Sequence, residues 1–314
     1  MMQIIRSFIC VAIVLLIAGC SNSQKHRYDL ENPADQKALA TSFIENFNNS
    51  IPIKPIAADE ISEEVAYQIA DFYVAQLLET QGSVAGYKVG TFAPGDFDNG
   101  PVDGLSGPVT AVMFSKGIHE SQAHISVDCC NMSFVEADFA AVVKNNAIND
   151  AETDLEILAA LSGFRPFIEM PDLLQPAEGS SNVGGIATNY DFRNAIVGDL
   201  IETSATGQWI VRLNSFSFQM SNEEGEVLAH GSIKDAYEPL FRVRHLRNQI
   251  LKRGKTLKAG DLLSLGNMGA IRPLKPNLYF DAAVRPVFRG NIATVTYIGL
   301  DPAGPASVSV VIDR

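Results

Sequence analysis

The chain has 314 residues, of which 46% are hydrophobic and 19% are charged. This balance is that of a folded globular protein, and it excludes a mostly disordered chain, a collagen and a coiled coil. The net charge is −12 and no block of five basic residues occurs, which argues against nucleic acid as a partner because its phosphates would be repelled.

The first twenty residues predict export. Arg6 supplies a positive charge ahead of an apolar stretch that is too short to span a bilayer as a mature helix. Residues 17–20 (IAGC) resemble the bacterial lipobox, in which the cysteine sulfur carries the lipid. We therefore predict a signal peptide over residues 1–19 and lipidation at Cys20, with a plain secretory signal as the alternative. Ser21 then implies, by the rule for Gram-negative lipoproteins, the periplasmic face of the outer membrane.

A tether and a small helical layer are predicted to follow. Residues 20–32 contain the lipidated cysteine and a polar stretch without periodicity, as expected of a flexible tether. Residues 33–82 are predicted to form the helical N-terminal layer. Its first helix begins at the Asn32-Pro33 pair and its second covers residues 62–81, with glycine as its stop.

The remaining residues, 83–314, predict a sheet-rich domain, because the apolar period changes to two. Two helices are expected to interrupt the sheet, one over residues 150–162 that Gly163 ends and one between Pro239 and Gly254. The tail is predicted to hold strands at residues 278–288, 292–300 and 306–312. These elements together predict an α+β fold, a mixed β-roll or barrel with a small helical N-terminal layer.

The cysteines of the folded body, Cys129 and Cys130, are interpreted as ordinary strand residues. A disulfide between neighbours is strained, and no CxxC or Cys/His metal spacing is present. Reactive thiols are the alternative. Trp209, in the segment GQWIVRL, is likewise predicted to be a strand residue packed on the core.

Two acids interrupt the apolar segment FVEADFAAVV. Glu136 and Asp138 are two residues apart, so strand alternation places both carboxylates on one face, about 7 Å apart at the backbone. A second apolar segment, PFIEM, carries Glu169. Three oxygen ligands from neighbouring strands predict a hard-cation site that suits Mg²⁺. The alternative is that the first two acids lie on the solvated face of an edge strand and Glu169 is unrelated.

Lys88 lies between two glycines in the segment GYKVG. Gly86 and Gly90 share its strand face and are expected to leave an open floor beside it, as a ligand pocket requires. A lysine desolvated there is expected to have a depressed pKa and to exchange protons near neutral pH. A lysine that protects a strand edge from aggregation is the alternative.

These motifs, together with GDLLSLGNMG at residues 260–269, resemble the 2-keto-4-pentenoate hydratase branch of the fumarylacetoacetate hydrolase superfamily. The resemblance covers roughly residues 60–312. It implies a mixed β-roll that binds Mg²⁺ or Mn²⁺ and a small 2-oxo acid. Carried over to this chain, it implies the metal ligands Glu136, Asp138 and Glu169, the proton-handling residue Lys88 and the substrate-binding residue Asn189.

The chain departs from the family pattern at several positions. Asp138 replaces the usual middle Glu, which shortens the ligand and keeps a hard oxygen. Val109 stands where the hydratases carry an acid that acts with the lysine, and Asp103 is the nearest acid. The segment at residues 188–191 keeps the asparagine but changes its neighbours. Leu265 occupies a position where a hydroxyl residue is common.

The resemblance implies a divalent-metal-dependent hydratase (a hydro-lyase) or a related hydrolase acting on a small 2-oxo or 2-hydroxydienoic acid. The contrasting hypothesis is a non-catalytic, membrane-anchored binding or envelope-structural lipoprotein that kept the fold. The partners expected are a small 2-oxo acid and, through Cys20, a lipid bilayer. Whether the chain forms a homo-oligomer is left open by the sequence.

Overall fold

The structure is a computed structural model that describes residues 28–90, 105–176, 178–233, 238–269, 271–276 and 286–314. The predicted signal peptide, Cys20 and Asp103 lie outside these residues, as does most of the strand predicted at 278–288. The described end of that segment, from residue 286, is not a strand. Within the described ranges, no helix is both long and apolar enough to cross a membrane.

The described part of the chain contains six α-helices and fourteen strands. The α-helices are α1 Pro33–Asn49, α2 Glu63–Gln81, α3 Asp154–Ala160, α4 Asn182–Ala187, α5 Gly207–Leu213 and α6 Pro239–Lys252. The strands are β1 Val84–Val89, β2 Thr110–Phe114, β3 Ile118–Glu120, β4 Ala123–Ser126, β5 Phe134–Val143, β6 Leu161–Met170, β7 Asn194–Val197, β8 Ile201–Glu202, β9 Ser217–Ser221, β10 Val227–Ser232, β11 Leu262–Ser264, β12 Ile271–Pro273, β13 Ile292–Asp301 and β14 Gly304–Asp313.

The predicted starts of three helices are confirmed. The Asn32 side chain accepts a hydrogen bond from the Ala34 N–H and caps α1, whose first residue is Pro33. The Ser62 side chain caps α2 by accepting from the Val65 N–H. Helix α6 begins at Pro239, as predicted.

The helix predicted over residues 150–162 is wrong at both ends. A 3₁₀ turn, Asn146–Asp150, comes first, and α3 begins only after Thr153, which forms a capping box with Glu156. Strand β6 follows α3 directly and includes Gly163. A Cβ at this glycine would lie 2.1 Å from the Ile201 carbonyl oxygen, so the residue permits the close approach of β8 and does not stop a helix.

Trp209 lies in helix α5, so its prediction as a strand residue is wrong. The Thr206 side chain accepts a hydrogen bond from the Trp209 N–H and caps this helix. Helices α4 and α5 both follow residue 83, so the described part of the sheet-rich region has four helical interruptions where two were predicted. Both helices have seven residues or fewer, too short for apolar periodicity to separate them from strands.

A mixed sheet of nine strands carries the predicted site residues. Its main path runs β2-β1-β11-β5-β6-β7-β3, with β12 paired to β5 and β8 paired to β6. The pairs β1–β11 and β3–β7 are parallel, and the other pairs in this sheet are antiparallel. A second, five-stranded sheet has the order β10-β9-β13-β14-β4.

Aromatic side chains join the two sheets. Phe139 of β5 stacks on Phe164 of β6, with ring centroids 4.8 Å apart and planes 4° apart. Phe216 and Tyr297 pack against Phe139 from the side of the second sheet. The Tyr297 hydroxyl donates to the Asp138 carbonyl and accepts from the Phe167 N–H at 3.2 Å. This hydroxyl therefore anchors the backbone of β5 beside the first predicted site residues.

Cys129 and Cys130 are not strand residues. Cys129 ends a 3₁₀ turn, Val127–Cys129, just before β5, and the two sulfurs form a disulfide. The Cys129 carbonyl accepts hydrogen bonds from the Ser50 hydroxyl at 3.0 Å and from the Arg193 guanidinium at 2.8 Å. The strand prediction failed because the chain turns here before it enters the sheet.

Candidate active site

The strand register brings the predicted lysine and acids to one face of the nine-stranded sheet. Lys88 of β1 is paired with Ser264 of β11, which is paired in turn with Ala140 of β5. Residues paired directly across strands point to the same face, and so do residues two apart along a strand. Asp138 and Glu136 therefore share this face with Lys88. Glu169 joins them because it is paired with Glu136.

Lys88 and Glu169 form a buried ion pair, although two strands, β11 and β5, separate their own strands in the sheet. In a flat sheet, β1 and β6 would lie about 14 Å apart, given the usual spacing between strands. Direct contact between the two side chains therefore requires a curled sheet with the site on its concave face.

The Lys88 ammonium is enclosed by its partners. Only 5% of the residue is exposed, and Nζ donates to the Glu169 carboxylate and to the Tyr190 carbonyl oxygen at 3.1 Å. The Tyr190 ring lies 5.5 Å from the ammonium, a cation–π distance. Burial by itself lowers the pKa of Lys88, but the carboxylates of Glu169, Glu136 and Asp138 outweigh burial and raise the pKa overall. The predicted depressed pKa is therefore wrong for this state, and Lys88 is protonated.

The glycines beside Lys88 do not leave an open floor. A Cβ at Gly86 would lie 1.9 Å from the Leu262 carbonyl oxygen, so this glycine lets β11 approach β1 closely. A Cβ at Gly90 would lie 2.8 Å from the Tyr190 ring and 3.1 Å from the Val109 Cβ. The space beside Lys88 is thus filled by an aromatic ring, and the prediction of an open floor is wrong.

Tyr190 belongs to a tight turn of unusual conformation. Asn189, Tyr190 and Asp191 have φ values of 56°, 47° and 59°, so three successive non-glycine residues are left-handed. This turn directs the Tyr190 carbonyl at Lys88. The Tyr190 hydroxyl donates to Asn182 at 3.1 Å, which fixes the far end of the ring. The sequence signal that was missed is the run of Asn, aromatic and Asp, because Asn and Asp tolerate left-handed conformations.

The Asn189 side chain is bound to the backbone of β2. Its Oδ1 accepts from the Val112 N–H at 2.7 Å and its amide donates to the Val112 carbonyl at 2.8 Å. The residue is buried, 3% exposed. These contacts secure the left-handed turn against the sheet, and the substrate-binding role of Asn189 stays a prediction.

Asp138 is fully buried and both of its carboxylate oxygens are engaged. Oδ1 accepts from the Phe139 N–H at 2.5 Å and Oδ2 accepts from the Ser264 hydroxyl at 2.6 Å. Burial raises the pKa of Asp138, and the negative charge of Glu169 raises it further. The two hydrogen bonds and the charge of Lys88 oppose this rise.

Glu136 is half-buried and Glu169 is 3% exposed. Within the described ranges, no three His, Cys, Asp or Glu side chains are arranged as a metal-binding group as they stand. Glu169 contacts Lys88, and Asp138 accepts a hydrogen bond from the Ser264 hydroxyl. When all four groups are ionised, the three acids and the one lysine on this face carry a net charge of −2. The donor set is made of hard oxygens and its excess charge matches a divalent cation, so the residues fit such an ion.

The family departures noted above have structural counterparts. Val109 is 3% exposed, and its carbonyl accepts from the Gly90 N–H at 2.8 Å. A buried apolar side chain therefore stands at the position where the resemblance implies an acid. Leu265 is fully buried, whereas the preceding Ser264 presents a hydroxyl to Asp138. Ser264 is not predicted from the sequence as a site residue, although it shares a strand face with the buried Leu262 two residues earlier in β11, which places its hydroxyl inside the fold.

A second polar cluster lies next to the left-handed turn. Asp191 accepts from the Thr188 hydroxyl at 3.1 Å, and burial is the main cause that raises the pKa of Asp191 to about 7. Asp172 is 1% exposed and accepts from the Met132 N–H at 3.0 Å, and burial raises its pKa as well. The positive charges of Arg193 and Lys275 oppose this rise. Neither acid is predicted from the sequence to be functional.

A cleft of about 490 Å³ lies elsewhere in the described chain, and none of the predicted site residues lines it. Asp154 and Arg244, which form an ion pair at 2.5 Å, are on its wall. We therefore place the candidate active site at Lys88 and the acids, where buried charges of opposite sign converge.

Comparison with known proteins supports the fold. No protein-family model matches the chain, and no curated protein matches it. Among solved structures, 4-oxalocrotonate decarboxylase from Pseudomonas putida G7, complexed with magnesium and adipate, superposes with a TM-score of 0.68 at 19% identity. The alignment covers 90% of this chain and 98% of the decarboxylase. The same enzyme complexed with calcium and acetate gives a TM-score of 0.67, again at 19% identity and with the same coverage.

A more distant structure is a probable 2-hydroxyhepta-2,4-diene-1,7-dioate isomerase from Mycobacterium abscessus. It has 14% identity and a TM-score of 0.48, and the alignment covers 72% of this chain and 74% of that one. This similarity is too low to support a structural argument. The decarboxylase comparison establishes the fold and confirms the predicted α+β class, with a mixed, curled sheet and few helices.

Proposed function

We propose that the protein is a divalent-metal-dependent lyase acting on a small 2-oxo or 2-hydroxydienoic acid. The observation that carries this proposal is the buried contact of Lys88 with Glu169, on the face that also carries Glu136 and Asp138. Buried charge clusters are costly to a fold and are concentrated at functional sites. The similarity in fold to a decarboxylase solved with magnesium is consistent with this assignment.

Glu136, Asp138 and Glu169 are the residues that would hold the cation. Mg²⁺ or Mn²⁺ suits their hard oxygens, and binding would require Glu169 to exchange Lys88 for the ion, at least in part. When bound, a divalent cation would neutralise the acids and withdraw electrons from the 2-oxo carboxylate of a substrate.

Lys88 would act as the proton donor. It is protonated in this state, because the three acids raise its pKa. In hydration, the lysine would give its proton to one carbon of the conjugated double bond, while water supplies the hydroxyl to the other carbon and returns a proton to the lysine. In decarboxylation, the same proton would replace the departing carbon dioxide at carbon. We favour hydration from the sequence resemblance, and the fold similarity makes decarboxylation the second reaction to test.

A non-catalytic binding protein is the alternative, and one observation favours it. Val109 places an apolar wall where the family resemblance implies an acid that acts with the lysine. Without that acid, Lys88 would hold a substrate carboxylate as a counter-ion and transfer no proton.

The experiment that separates these functions is a panel of 2-oxo and 2-hydroxydienoic acids with Mg²⁺ or Mn²⁺. Loss of the diene absorbance reports hydration, release of carbon dioxide reports decarboxylation, and the melting temperature reports binding. Turnover of any member supports the lyase. Binding without turnover of any member supports the binding protein and contradicts the lyase.

We propose in addition that the body is anchored to a membrane through a lipid on Cys20. The support is the lipobox-like sequence before this cysteine and the polar tether after it. Cys20→Ser should release the body into the soluble periplasmic fraction or leave the precursor uncleaved. A variant that is lipid-labelled and membrane-bound like the parent would contradict the anchor.

A further inference from the structure

We infer that Ser264 is a positioning residue that fixes the Asp138 carboxylate in the orientation in which it would bind a divalent cation. The inference rests on the proposed function, because it assigns Asp138 to the metal. The Ser264 hydroxyl donates to Asp138 Oδ2 at 2.6 Å, and both residues are fully buried.

The place of Ser264 in the sheet makes this contact specific. It is the last residue of β11, the strand that lies between β1 and β5. Its pairing with Lys88 on one side and with Ala140 on the other puts its side chain on the face of the site. Ala140 has a small side chain, which leaves room for the serine hydroxyl to reach along β5 to Asp138.

The two donors to Asp138 act at opposite ends of the carboxylate. The Phe139 N–H binds Oδ1 and the Ser264 hydroxyl binds Oδ2, so rotation about the bond to the carboxyl carbon is blocked. A carboxylate has about four acceptor positions, and these donors use two. The remaining positions keep a fixed direction, as a metal ligand requires.

The backbone of Asp138 is held independently. The Tyr297 hydroxyl, from the second sheet, donates to the Asp138 carbonyl. This bond holds the backbone of β5 in place, so the direction of the carboxylate is set by the two donors to its oxygens, the Phe139 N–H and the Ser264 hydroxyl.

A hydroxyl is also the right chemical group for this task. Lys88 carries a charge and competes with a cation for Glu169. Ser264 is neutral, so it orients Asp138 without adding a charge that would compete with the cation.

The test is the dissociation constant for Mn²⁺, measured by titration calorimetry on the metal-free parent and on variants. Ser264→Ala removes the donor and adds no bulk, and we expect it to weaken Mn²⁺ binding by about 10- to 100-fold, as is usual for the loss of a group that orients a ligand. Ser264→Thr keeps the hydroxyl and should restore the affinity to within about threefold of the parent. Ser309→Ala is the matched control, because it removes a hydroxyl hydrogen bond to Thr294 (2.9 Å) in the second sheet. Its affinity should equal that of the parent.

Melting temperatures in EDTA separate positioning from a structural role. A structural serine would lower the melting temperature of Ser264→Ala and leave the Mn²⁺ affinity unchanged, and this result would overturn the inference. A Thr variant that folds in EDTA but binds as weakly as the Ala variant would overturn it too. A parent protein that binds no Mn²⁺ would overturn the proposed metal dependence, and the inference with it.

Discussion

Lys88 and Glu169 form a buried ion pair between residues that are 81 positions apart in the chain. Their strands are separated by two others, so the pair forms only because the sheet curls. The lysine serves as the counter-charge of three acids on one face, and a substrate or cation that enters must compete with this arrangement.

Lys88→Met should destabilise the protein in EDTA by about 3–5 kcal/mol, because it leaves buried carboxylates without their cation. Denaturant unfolding at pH 7 measures this change. Lys116→Met is the control, since this exposed lysine donates to the Thr80 carbonyl at the surface. Its free energy of unfolding should change by less than about 0.5 kcal/mol.

The same Lys88→Met variant should lower turnover of any 2-oxo acid substrate by about 10²- to 10⁴-fold, the usual contribution of a positioned proton donor. Metal affinity should not weaken by more than a few-fold. Unchanged turnover in the variant would remove the catalytic role of the lysine.

Asp191→Asn should change the dependence of stability on pH. The folded protein raises the pKa of Asp191 to about 7, so between pH 4 and pH 7 the folded state binds more protons here than the unfolded chain does. The stability contributed by this group is complete below about pH 4 and is lost as the pH rises through 7. Because asparagine does not titrate, the Asp191→Asn variant does not lose this stability as the pH rises.

Unfolding measured at pH 4, 5.5, 7 and 8 tests this prediction. Relative to the parent, Asp191→Asn should gain about 1–3 kcal/mol between pH 4 and pH 8, less than the full shift implies because Asp191 is partly exposed. Asp199→Asn, the same change at an exposed residue, controls for net charge. A difference between Asp191→Asn and the parent that does not vary with pH would contradict the raised pKa.

Gly90→Ala should displace the Tyr190 ring, because the new Cβ would lie 2.8 Å from a ring carbon. Overpacking of this kind costs about 1–3 kcal/mol, which the denaturation midpoint measures. Gly207→Ala is the control, since nothing lies within 4 Å of its added Cβ. Equal stability of the two variants would show that the ring does not fill the space beside Lys88.

Local signals in the sequence predicted much of the helical layer and the faces of the central strands. The Asn32-Pro33 pair begins α1 as predicted, and α2 begins next to Ser62, the predicted start of the second helix. The alternation around Glu136 and Asp138 placed both acids on one face of β5, as found. These features depend on contacts within a few residues, which a sequence displays directly.

Other features depend on contacts between distant segments. The sequence predicts that Gly163 ends a helix. In the structure this glycine instead allows the Ile201 carbonyl oxygen to approach closely, and no local pattern reveals that contact. The sequence indicates the burial of Lys88, which lowers its pKa, but it does not indicate the contact with the Glu169 carboxylate, which raises its pKa. Ser264 was missed because its importance comes from Asp138, 126 residues away in the chain.

The central claim is that Glu136, Asp138 and Glu169 hold a divalent cation, and the response of the melting temperature to Mg²⁺ or Mn²⁺ tests it most directly. In the parent, an ion concentration of about 100 times the dissociation constant should add about 2.7 kcal/mol of stability and raise the melting temperature. Glu136→Gln should abolish this rise, while Glu202→Gln, the same change at an exposed residue of β8, should keep it. An identical response in the parent and in Glu136→Gln, or no response in the parent, would contradict the claim.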